Sequence, residues 1–302
     1  MRAKKIGALL ITSLLVVAVS GCLDFGEEES EPQQDGVIID RLEAYPEAVY
    51  SNEDLEIILD VKNMGTVNAE NIKAQIFNRG KLSLKENEDN PKDIDTLEKA
   101  TDEYQGESRT EDWSLEAPEV ESVERTDNPK VRVYYEYETV AEVNVPALNR
   151  NEHRARARED EEIPAVEAPV TSAGPFSVSL PEPGRAPSIE EGGDDFRLTI
   201  IGQNTGPGTA YLEGSVLDDL DRNTIEMKID VGDPGELVGD CADAYGGEFG
   251  EVSFWDHDFR KGCRIDIDED DVEPEMAIPV KIRLRYGYFV EDDVTVTTQP
   301  EV

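Results

Sequence analysis

The clearest hydrophobic pattern in the chain is a strict apolar–polar alternation near its middle. In KVRVYYEYETVAEVNV, residues 130–145, every second residue from Val131 to Tyr137 is apolar or aromatic. Successive side chains of a β-strand point to opposite faces, so this alternation predicts a half-buried strand. The alternation resumes at Val143 and Val145 after a short polar break. This predicts a second strand, joined to the first by a turn of about five residues.

A second copy of this pattern lies in KIRLRYGYFVEDDVTV, residues 281–296, at a constant offset of 151 residues. Tyr286 and Tyr288 take the places of Tyr135 and Tyr137, and the flanking apolar positions also coincide. Shared strand composition alone does not produce a constant offset. The pattern therefore indicates a duplicated segment.

An earlier pair of stretches matches in the same order. LEIILDVKNMGTVNA, residues 55–69, aligns with FRLTIIGQNTGPGTA, residues 196–210, at an offset of 141 residues. Each stretch is an alternating strand followed by Asn-x-Gly, and Asn and Gly tolerate the positive φ of a tight turn. The two pairs together predict two related β-modules, each a little over about 100 residues and so of domain size.

The order of these motifs resembles surface modules of the CARDB class. An alternating strand, then Asn-x-Gly and a small residue, then a closing Tyr-x-Tyr segment are shared by both modules. The resemblance implies immunoglobulin-like β-sandwiches that serve in adhesion at archaeal and bacterial cell surfaces, without catalytic residues. The polar segment 85–112 departs from a compact sandwich pattern.

These motifs predict an all-β chain with two tandem immunoglobulin-like sandwiches. The boundaries that we predict are a lipoprotein signal peptide at 1–21, an acidic tether at 22–36, sandwich one at 37–148, a charged linker at 149–173 and sandwich two at 174–302.

The amino end is typical of a lipoprotein signal. Basic residues precede a 14-residue apolar run from Ile6 to Val19, which is short for a membrane span and suits a secretory signal. Val-Ser-Gly-Cys follows and resembles a lipobox, which implies cleavage before Cys22 and lipidation of its thiol. An uncleaved anchor and a secreted chain with an incidental Cys22 are the alternatives. The expected location is the outer face of the cell membrane, with membrane lipid as partner.

The strongly negative charge of the chain indicates a high-salt environment. The formal net charge is −40, with the acids spread along the whole chain. Nucleic-acid binding is not expected, because phosphate contacts need Lys and Arg. At molar salt the Debye length falls to about 3 Å, so densely spaced carboxylates no longer repel one another strongly. We therefore expect the protein to come from a halophile, and from an archaeal one. The melting temperature should therefore fall as salt is lowered from molar concentration, and a constant melting temperature would contradict this.

Three cysteines are present, and two remain when Cys22 is assigned to lipid. Cys241 and Cys263 predict a disulfide in the oxidising exterior. The rival is a metal site with His257, but two Cys and one His without a close Cys pair are poor zinc spacing. The loop between them is rich in aromatic residues, which either contact a partner or pack beneath the loop: Tyr245, Phe249, Phe254 and Trp255.

No catalytic motif is recognisable, and we expect neither enzymatic activity nor a cofactor. His153 and His257 are the only histidines, and neither is placed beside a nucleophile. Two acidic runs are weak calcium candidates, although they lack the register of an EF-hand. Their candidate ligands are Asp219, Asp221, Asn223, Asp266, Asp268 and Asp270.

The linker carries a local cluster of arginines: Arg150, Arg154, Arg156 and Arg158. The pattern predicts a short helix with Arg156–Asp160 and Arg158–Glu162 pairs at i, i+4 spacing. The cluster either docks an acidic surface or lipid headgroups, or it compensates the acids of the linker itself.

The function predicted from the sequence is a membrane-anchored, non-enzymatic module for adhesion or scaffolding that binds envelope or surface proteins. The alternative is a solute-binding lipoprotein associated with a transporter, which normally needs two α/β lobes that the pattern does not predict. An envelope hydrolase is a third possibility. A deep pocket that holds paired carboxylates with shifted pKa values would distinguish it.

Overall fold

A computed structural model describes residues 35–181, 186–189, 194–267 and 274–301. It confirms an all-β sandwich fold. The strands in the described ranges are β1 (Val37–Tyr45), β2 (Ala48–Tyr50), β3 (Asp54–Asn63), β4 (Glu70–Asn78), β5 (Ser83–Leu84), β6 (Lys92–Ile94), β7 (Ser108–Glu116), β8 (Arg125–Asp127), β9 (Lys130–Asn149), β10 (Val170–Thr171), β11 (Phe176–Ser179), β12 (Ser188–Ile189), β13 (Asp194–Asn204), β14 (Thr209–Tyr211), β15 (Thr224–Val231), β16 (Gly235–Val238), β17 (Gly250–Ser253), β18 (Asp258–Ile267), β19 (Glu275–Asp293) and β20 (Val296–Gln299). An α-helix, α1 (Arg150–Glu159), and a π-helical turn, Ala242–Gly246, complete the described elements.

A large shared sheet runs through both halves of the chain. Its order is β17-β15-β19-β9-β4-β6, with β10 and β12 beside β9 and β14 beside β19. Two four-stranded sheets, β1-β3-β7-β5 and β11-β13-β18-β16, come from the first and second halves respectively. A three-stranded sheet, β2-β20-β8, also joins strands of both halves. Buried side chains of these sheets form one main hydrophobic core, and the described residues belong to one compact unit.

The two repeats meet through their equivalent strands. β9 and β19 pair antiparallel over residues 130–148 and 275–293, and Glu136 faces Gly287. These two positions are also equivalent in the repeat, since 287 − 136 = 151. Antiparallel pairing of equivalent strands creates a local two-fold axis at this pair, as in an isologous interface between subunits. The repeated sixteen-residue pattern is therefore the seam between the halves.

The structure corrects the predicted break in this pattern. Residues 138–142 remain in strand β9, so a single strand of 20 residues replaces the predicted pair of strands and turn. Val140 and Ala141 pair with Arg283 and Ile282 of β19. The backbone hydrogen bonds of β19 thus keep the polar residues extended. The turn prediction was wrong because a long partner strand overrides a local break in the alternation.

The polar segment 85–112 forms edge structure of the first half. It contributes β6, a bridged turn between Thr101 and Tyr104, and the first residues of β7. Ala69 also pairs with Leu97, whose side chain is buried. The polar residues of segment 85–112 thus lie at a sheet edge and in surface loops, as is usual for connecting segments.

A tyrosine of the shared sheet holds the Asn-x-Gly turn of the first half. The Asn63 side chain accepts from the Gly65 N–H (3.0 Å) and donates to the Val67 carbonyl (2.9 Å). The Val67 N–H donates to the Tyr137 hydroxyl (3.2 Å), which donates to the Ala173 carbonyl (2.8 Å). Position 65 requires glycine, since a Cβ there would lie 1.9 Å from the Tyr137 hydroxyl oxygen.

The second half repeats this arrangement. Asn204 Nδ2 donates to the Gly208 carbonyl (3.1 Å), and the Gly208 N–H donates to the Tyr288 hydroxyl (2.9 Å). The Tyr288 hydroxyl donates to Asn204 Oδ1 (2.9 Å). Burial raises the pKa of Tyr288 to about 12, so the hydroxyl keeps its proton and can donate. The Asn-x-Gly and Tyr-x-Tyr motifs are therefore two parts of one structural lock in each half.

Removing the hydroxyl of this lock should destabilise the fold. We expect Tyr137→Phe or Tyr288→Phe each to lower the free energy of unfolding by about 1–3 kcal/mol, because buried backbone groups lose their partner. Tyr135→Phe is the matched control, since its buried hydroxyl faces the Val37 backbone and makes no hydrogen bond of standard geometry to an Asn-x-Gly turn within the described ranges. Urea unfolding of the three variants measures the difference. Equal effects at all three positions would contradict the lock.

Candidate binding groove on the shared sheet

The shared sheet presents one face to the core and the other outward. In β9 the odd-numbered residues from Val131 to Val145 are buried, and the even-numbered Arg132, Glu136 and Glu138 are partly exposed. Antiparallel register reverses this parity in β19, where Tyr286 is buried and Arg285 lies on the outer face. Charged side chains of both repeats therefore share the outer face beside the local two-fold axis.

An open groove of about 600 Å³ lies on this face. Its lining combines residues of β4, β9 and β19 with the turn after β3 and the segment after β14. The charged groups that line it are Glu70, Lys99, Glu136, Glu138, Glu213 and Arg285. Four carboxylates and two cations thus border one recess that is supported by a rigid sheet.

Glu213 is the carboxylate with the most unusual environment in the groove. Burial raises the pKa of Glu213, and the neighbouring charge of Glu136 raises it further against the opposing effect of Arg285. Glu213 Oε2 is buried and lies 3.4 Å from Arg285 Nε, outside hydrogen-bond geometry. Glu136 is in turn hydrogen-bonded by Asn71 Nδ2. The groove therefore holds one carboxylate that is poorly stabilised in its charged form.

These groups can bind polar ligands through hydrogen bonds and charge. Carboxylate oxygens accept, while Arg285 and Lys99 donate. Within the described ranges no three His, Cys, Asp or Glu side chains converge closely enough to hold a metal ion. The groove is therefore best suited to a ligand that offers several donors, such as a basic segment of a protein.

Neutralising Glu213 should stabilise the protein at neutral pH. A raised folded-state pKa means that protonated Glu213 favours folding below its unfolded-state pKa, and this contribution is lost as pH rises through the folded-state pKa. We expect Glu213→Gln to raise the melting temperature at pH 7 and the difference from wild type to vanish in acid. Glu70→Gln, at an exposed position of the same groove, is the control. A lower melting temperature for Glu213→Gln at pH 7 would contradict the expectation.

An aromatic cluster lies on the same outer face of the shared sheet. Tyr134, Tyr211 and Phe289 are buried beneath Leu217 and Leu220, with ring centroids 5.8–6.4 Å apart. The alternation did not predict this cluster, because it groups Tyr134 with Arg132 and Glu136 on the polar face of the strand. The consecutive aromatics Tyr134-Tyr135 and Tyr288-Phe289 were the available signal, since adjacent strand residues point to opposite faces.

The predicted contact residues of the disulfide loop lie in different environments. Tyr245 and Phe254 are buried, and Phe254 packs on Phe176 with centroids 5.6 Å apart, so both serve the core. Phe249 is half-buried beneath Arg285, whose guanidinium lies 4.1 Å from the ring centroid. Trp255 is 83% exposed. Only Trp255 of this set offers a largely free surface.

The arginines of the linker form a helix as predicted, but their pairing differs from the prediction. Asn149 caps α1 by accepting from the Glu152 N–H (2.9 Å). Arg156 pairs with Glu152 (2.7 Å) and with Glu275 at the start of β19 (2.6 Å), and not with Asp160. Asp160 adopts a left-handed conformation at the helix end, which takes it out of the i, i+4 register. Arg156 therefore ties the linker to the shared sheet.

Of the other three arginines, Arg154 and Arg158 are exposed on the helix. Arg150 opens the same helix. The predicted docking role of this cluster stays a prediction.

The predicted disulfide is present. Cys241 and Cys263 are bonded, with their Cα atoms 5.5 Å apart. Cys263 faces Leu198 of β13, as Trp113 faces the equivalent Ile57 of β3. The disulfide of the second half therefore takes the place of a core tryptophan in the first.

The candidate calcium ligands are dispersed. Asp221 accepts from the Thr224 hydroxyl (3.1 Å), and Asp266 lies on the exposed face of β18. Asp219 and Asn223 belong to the loop before β15. Asp268, Asp270, the signal peptide and Cys22 lie outside the described residues. Among the residues that are described, no helix is both long and apolar enough to cross a membrane.

Comparisons with known proteins leave the family open. No family model matches the chain, and no curated protein matches it. Solved structures with some similarity include the secreted serine protease VesC of Vibrio cholerae (11% identity, 86% of this chain, 52% of that chain, TM-score 0.19). Others are Escherichia coli alpha-2-macroglobulin activated by porcine elastase (11%, 84%, 32%, 0.20) and the Enterococcus faecalis MSCRAMM ACE, which binds its ligands by the collagen Hug model (9%, 90%, 97%, 0.15).

This chain spans about half the length of VesC and about a third of the macroglobulin chain. All three TM-scores lie below 0.5, so these similarities carry no argument about this protein.

Proposed function

We propose that this protein is a lipid-anchored, non-enzymatic binding module on the outer face of the membrane of a halophile. Its role is adhesion or scaffolding through contacts with other envelope proteins. The observation that carries the proposal is the groove on the outer face of the shared sheet. There, charged side chains of both repeats border an open recess on a rigid support.

The chemistry of the groove favours binding over catalysis. Its carboxylates are accompanied by Arg285 and Lys99, and the recess is open. His153 lies in α1 and His257 in the turn between β17 and β18, so neither belongs to the groove. A hydrolase would also have a carboxylate with a raised pKa, as Glu213 has. The position of Glu213 beside Arg285 suits ligand binding equally well.

The anchor part of the proposal rests on the amino end of the sequence. A basic start, an apolar run from Ile6 to Val19 and the lipobox-like Val-Ser-Gly-Cys all precede the β-modules. Mass spectrometry of the peptide that contains Cys22, from protein purified from its own membranes, tests this part directly. A free Cys22 thiol, or an intact signal segment, would contradict lipid anchoring.

Site-specific photo-cross-linking on intact cells at native salt tests the binding part. A photoreactive residue at Glu70, on the exposed border of the groove, should capture envelope or surface proteins. The control position is Val123, which is 72% exposed and does not line the groove. Equal capture at both positions, or none at Glu70, would contradict the groove as the contact. Capture of a membrane permease at Glu70 would favour the solute-binding alternative.

A further inference from the structure

Two exposed aromatic side chains lie in turns that lead toward corresponding strands of the two halves. Tyr104 is 48% exposed and Trp255 is 83% exposed. Tyr104 closes a bridged turn that precedes β7, and Trp255 opens a bridged turn that ends on the first residue of β18. Ser108 of β7 pairs with Lys62, and Asp258 of β18 pairs with Gln203. Lys62 and Gln203 are matched positions of the repeat, so β7 and β18 are corresponding strands. We call these two turns, 101–104 and 255–258, the aromatic tips.

Each aromatic tip lies at or next to a hydrogen bond with the Asn-x-Gly turn of its own half. In the first half the Ala100 N–H, next to the tip, donates to the Gly65 carbonyl (2.8 Å). In the second half the Asn204 N–H donates to the His257 carbonyl (2.7 Å). Asp256 and His257 both have positive φ, so a tight turn holds Trp255 outward. Each tip is therefore held next to the Asn-x-Gly turn of its own half.

The described chain begins between these two turns. The Gly36 carbonyl accepts from the Met64 N–H (2.8 Å) in the first Asn-x-Gly turn. A Cβ on Gly36 would lie 3.0 Å from Pro175 Cδ, and the Pro175 carbonyl accepts from the Thr205 N–H of the second turn (2.8 Å). Each aromatic tip thus adjoins one of the two Asn-x-Gly turns, and residue 36 lies close to both of those turns.

We propose that the aromatic tips are a membrane-contacting surface, with Trp255 and Tyr104 seated at the lipid–water interface. The proposal rests on lipid anchoring at Cys22. Only 12 residues separate Cys22 from Asp35, and this link spans at most about 45 Å even when fully extended. The region around residue 36 is therefore held close to the bilayer, and a short link gives a high effective concentration.

The chemistry of the two side chains suits this interface. Trp and Tyr combine an apolar ring with a polar group, and they are enriched where membrane meets water. The acids in the tips, Asp102, Glu103, Asp256 and Asp258, oppose an anionic surface. At molar salt the Debye length is only about 3 Å, so this repulsion is short-ranged. The acids also keep the contact shallow, because carboxylates remain in the aqueous layer.

Tryptophan fluorescence provides a direct test, because the chain has two tryptophans and the other, Trp113, is fully buried. The full lipidated protein is reconstituted in molar salt into phosphatidylcholine vesicles whose acyl chains carry bromine, a contact quencher. We expect most of the Trp255 emission to be lost relative to unbrominated vesicles. Trp255→Phe should abolish this loss, since only Trp113 then emits.

Two further variants place the probe elsewhere in the Trp255→Phe background. Tyr104→Trp should restore quenching at the other tip. Val123→Trp, at a position that is 72% exposed and remote from the tips along the chain, should not be quenched. Quenching of both probes to the same degree would overturn the assignment of the tips as the contact surface.

The outcomes separate the inference from the proposed function. Vesicle-bound protein with lipidated Cys22 but unquenched Trp255 overturns the inference and leaves the anchor intact. A free Cys22 with no vesicle binding overturns both. Protection of Trp255 from aqueous iodide on cells but not on vesicles would assign the tips to another envelope component and overturn the membrane contact.

Discussion

Tyr286→Ala is expected to lower the free energy of unfolding by about 3–5 kcal/mol, the usual cost of truncating a large buried aromatic side chain. The Tyr286 ring is fully buried at the seam, with centroids 4.8 Å from Phe176 and 6.3 Å from Tyr137. Its hydroxyl shares a buried hydrogen bond of 2.7 Å with Thr139 of β9. The substitution therefore removes packing and leaves a buried hydroxyl without its partner.

This variant also tests whether the two halves unfold together. Trp113 lies in the first half, whereas Tyr286 is contributed by the second. Because β9 and β19 pair over residues 130–148 and 275–293, we expect Trp113 emission, measured in the Trp255→Phe background, and circular dichroism to shift to one lower midpoint. An unchanged Trp113 midpoint, with a second transition by circular dichroism, would indicate independently folding domains. Tyr104→Ala, at an exposed tyrosine, is the control and should change the stability little.

Removing the disulfide is expected to have the second large effect. Cys241 and Cys263 are 22 residues apart, and closing a loop of this size restricts the unfolded chain by roughly 3 kcal/mol in the chain-entropy model. Cys263 is also buried in the core, so Cys241→Ala with Cys263→Ala retains an apolar side chain there. We expect this double variant to lose about 3 kcal/mol of unfolding free energy.

Denaturant titration with and without reductant measures the disulfide effect. Reduced wild type should match the double variant, and reductant should not change the variant itself. A double variant as stable as oxidised wild type would show that the disulfide contributes little beyond the packing of the core. If the halves are coupled at the seam, the Trp113 midpoint should shift by the same amount, although the disulfide lies in the other half.

Several features of the fold were predictable because they depend on local patterns. Alternation from Val131 to Tyr137, and again around Tyr286, sufficed to predict strands with one buried face. The two Asn-x-Gly segments predicted turns, because Asn and Gly tolerate the backbone conformation that a turn needs. The pairing of Cys241 with Cys263 followed from counting cysteines and from the expected compartment.

The candidate groove was not predictable in the same way. Its carboxylates, such as Glu136 and Glu213, are indistinguishable in sequence from the many solvated acids of this chain. They become a site only because β9, β4 and the segment after β14 bring them to one face beside Arg285. The raised pKa of Glu213 likewise depends on burial and on a neighbour 77 positions away along the chain, Glu136.

The sequence by itself determined the alternating strands, the duplication, the Asn-x-Gly turns and the cysteine pair. Periodicity and residue type indicate these features because they act over short distances along the chain. Only the tertiary structure decided that the duplicated strands pair with each other about a local two-fold axis at Glu136 and Gly287. That pairing depends on contacts between residues about 150 positions apart, which no local pattern encodes. It made β9 one continuous strand and joined both halves through one core.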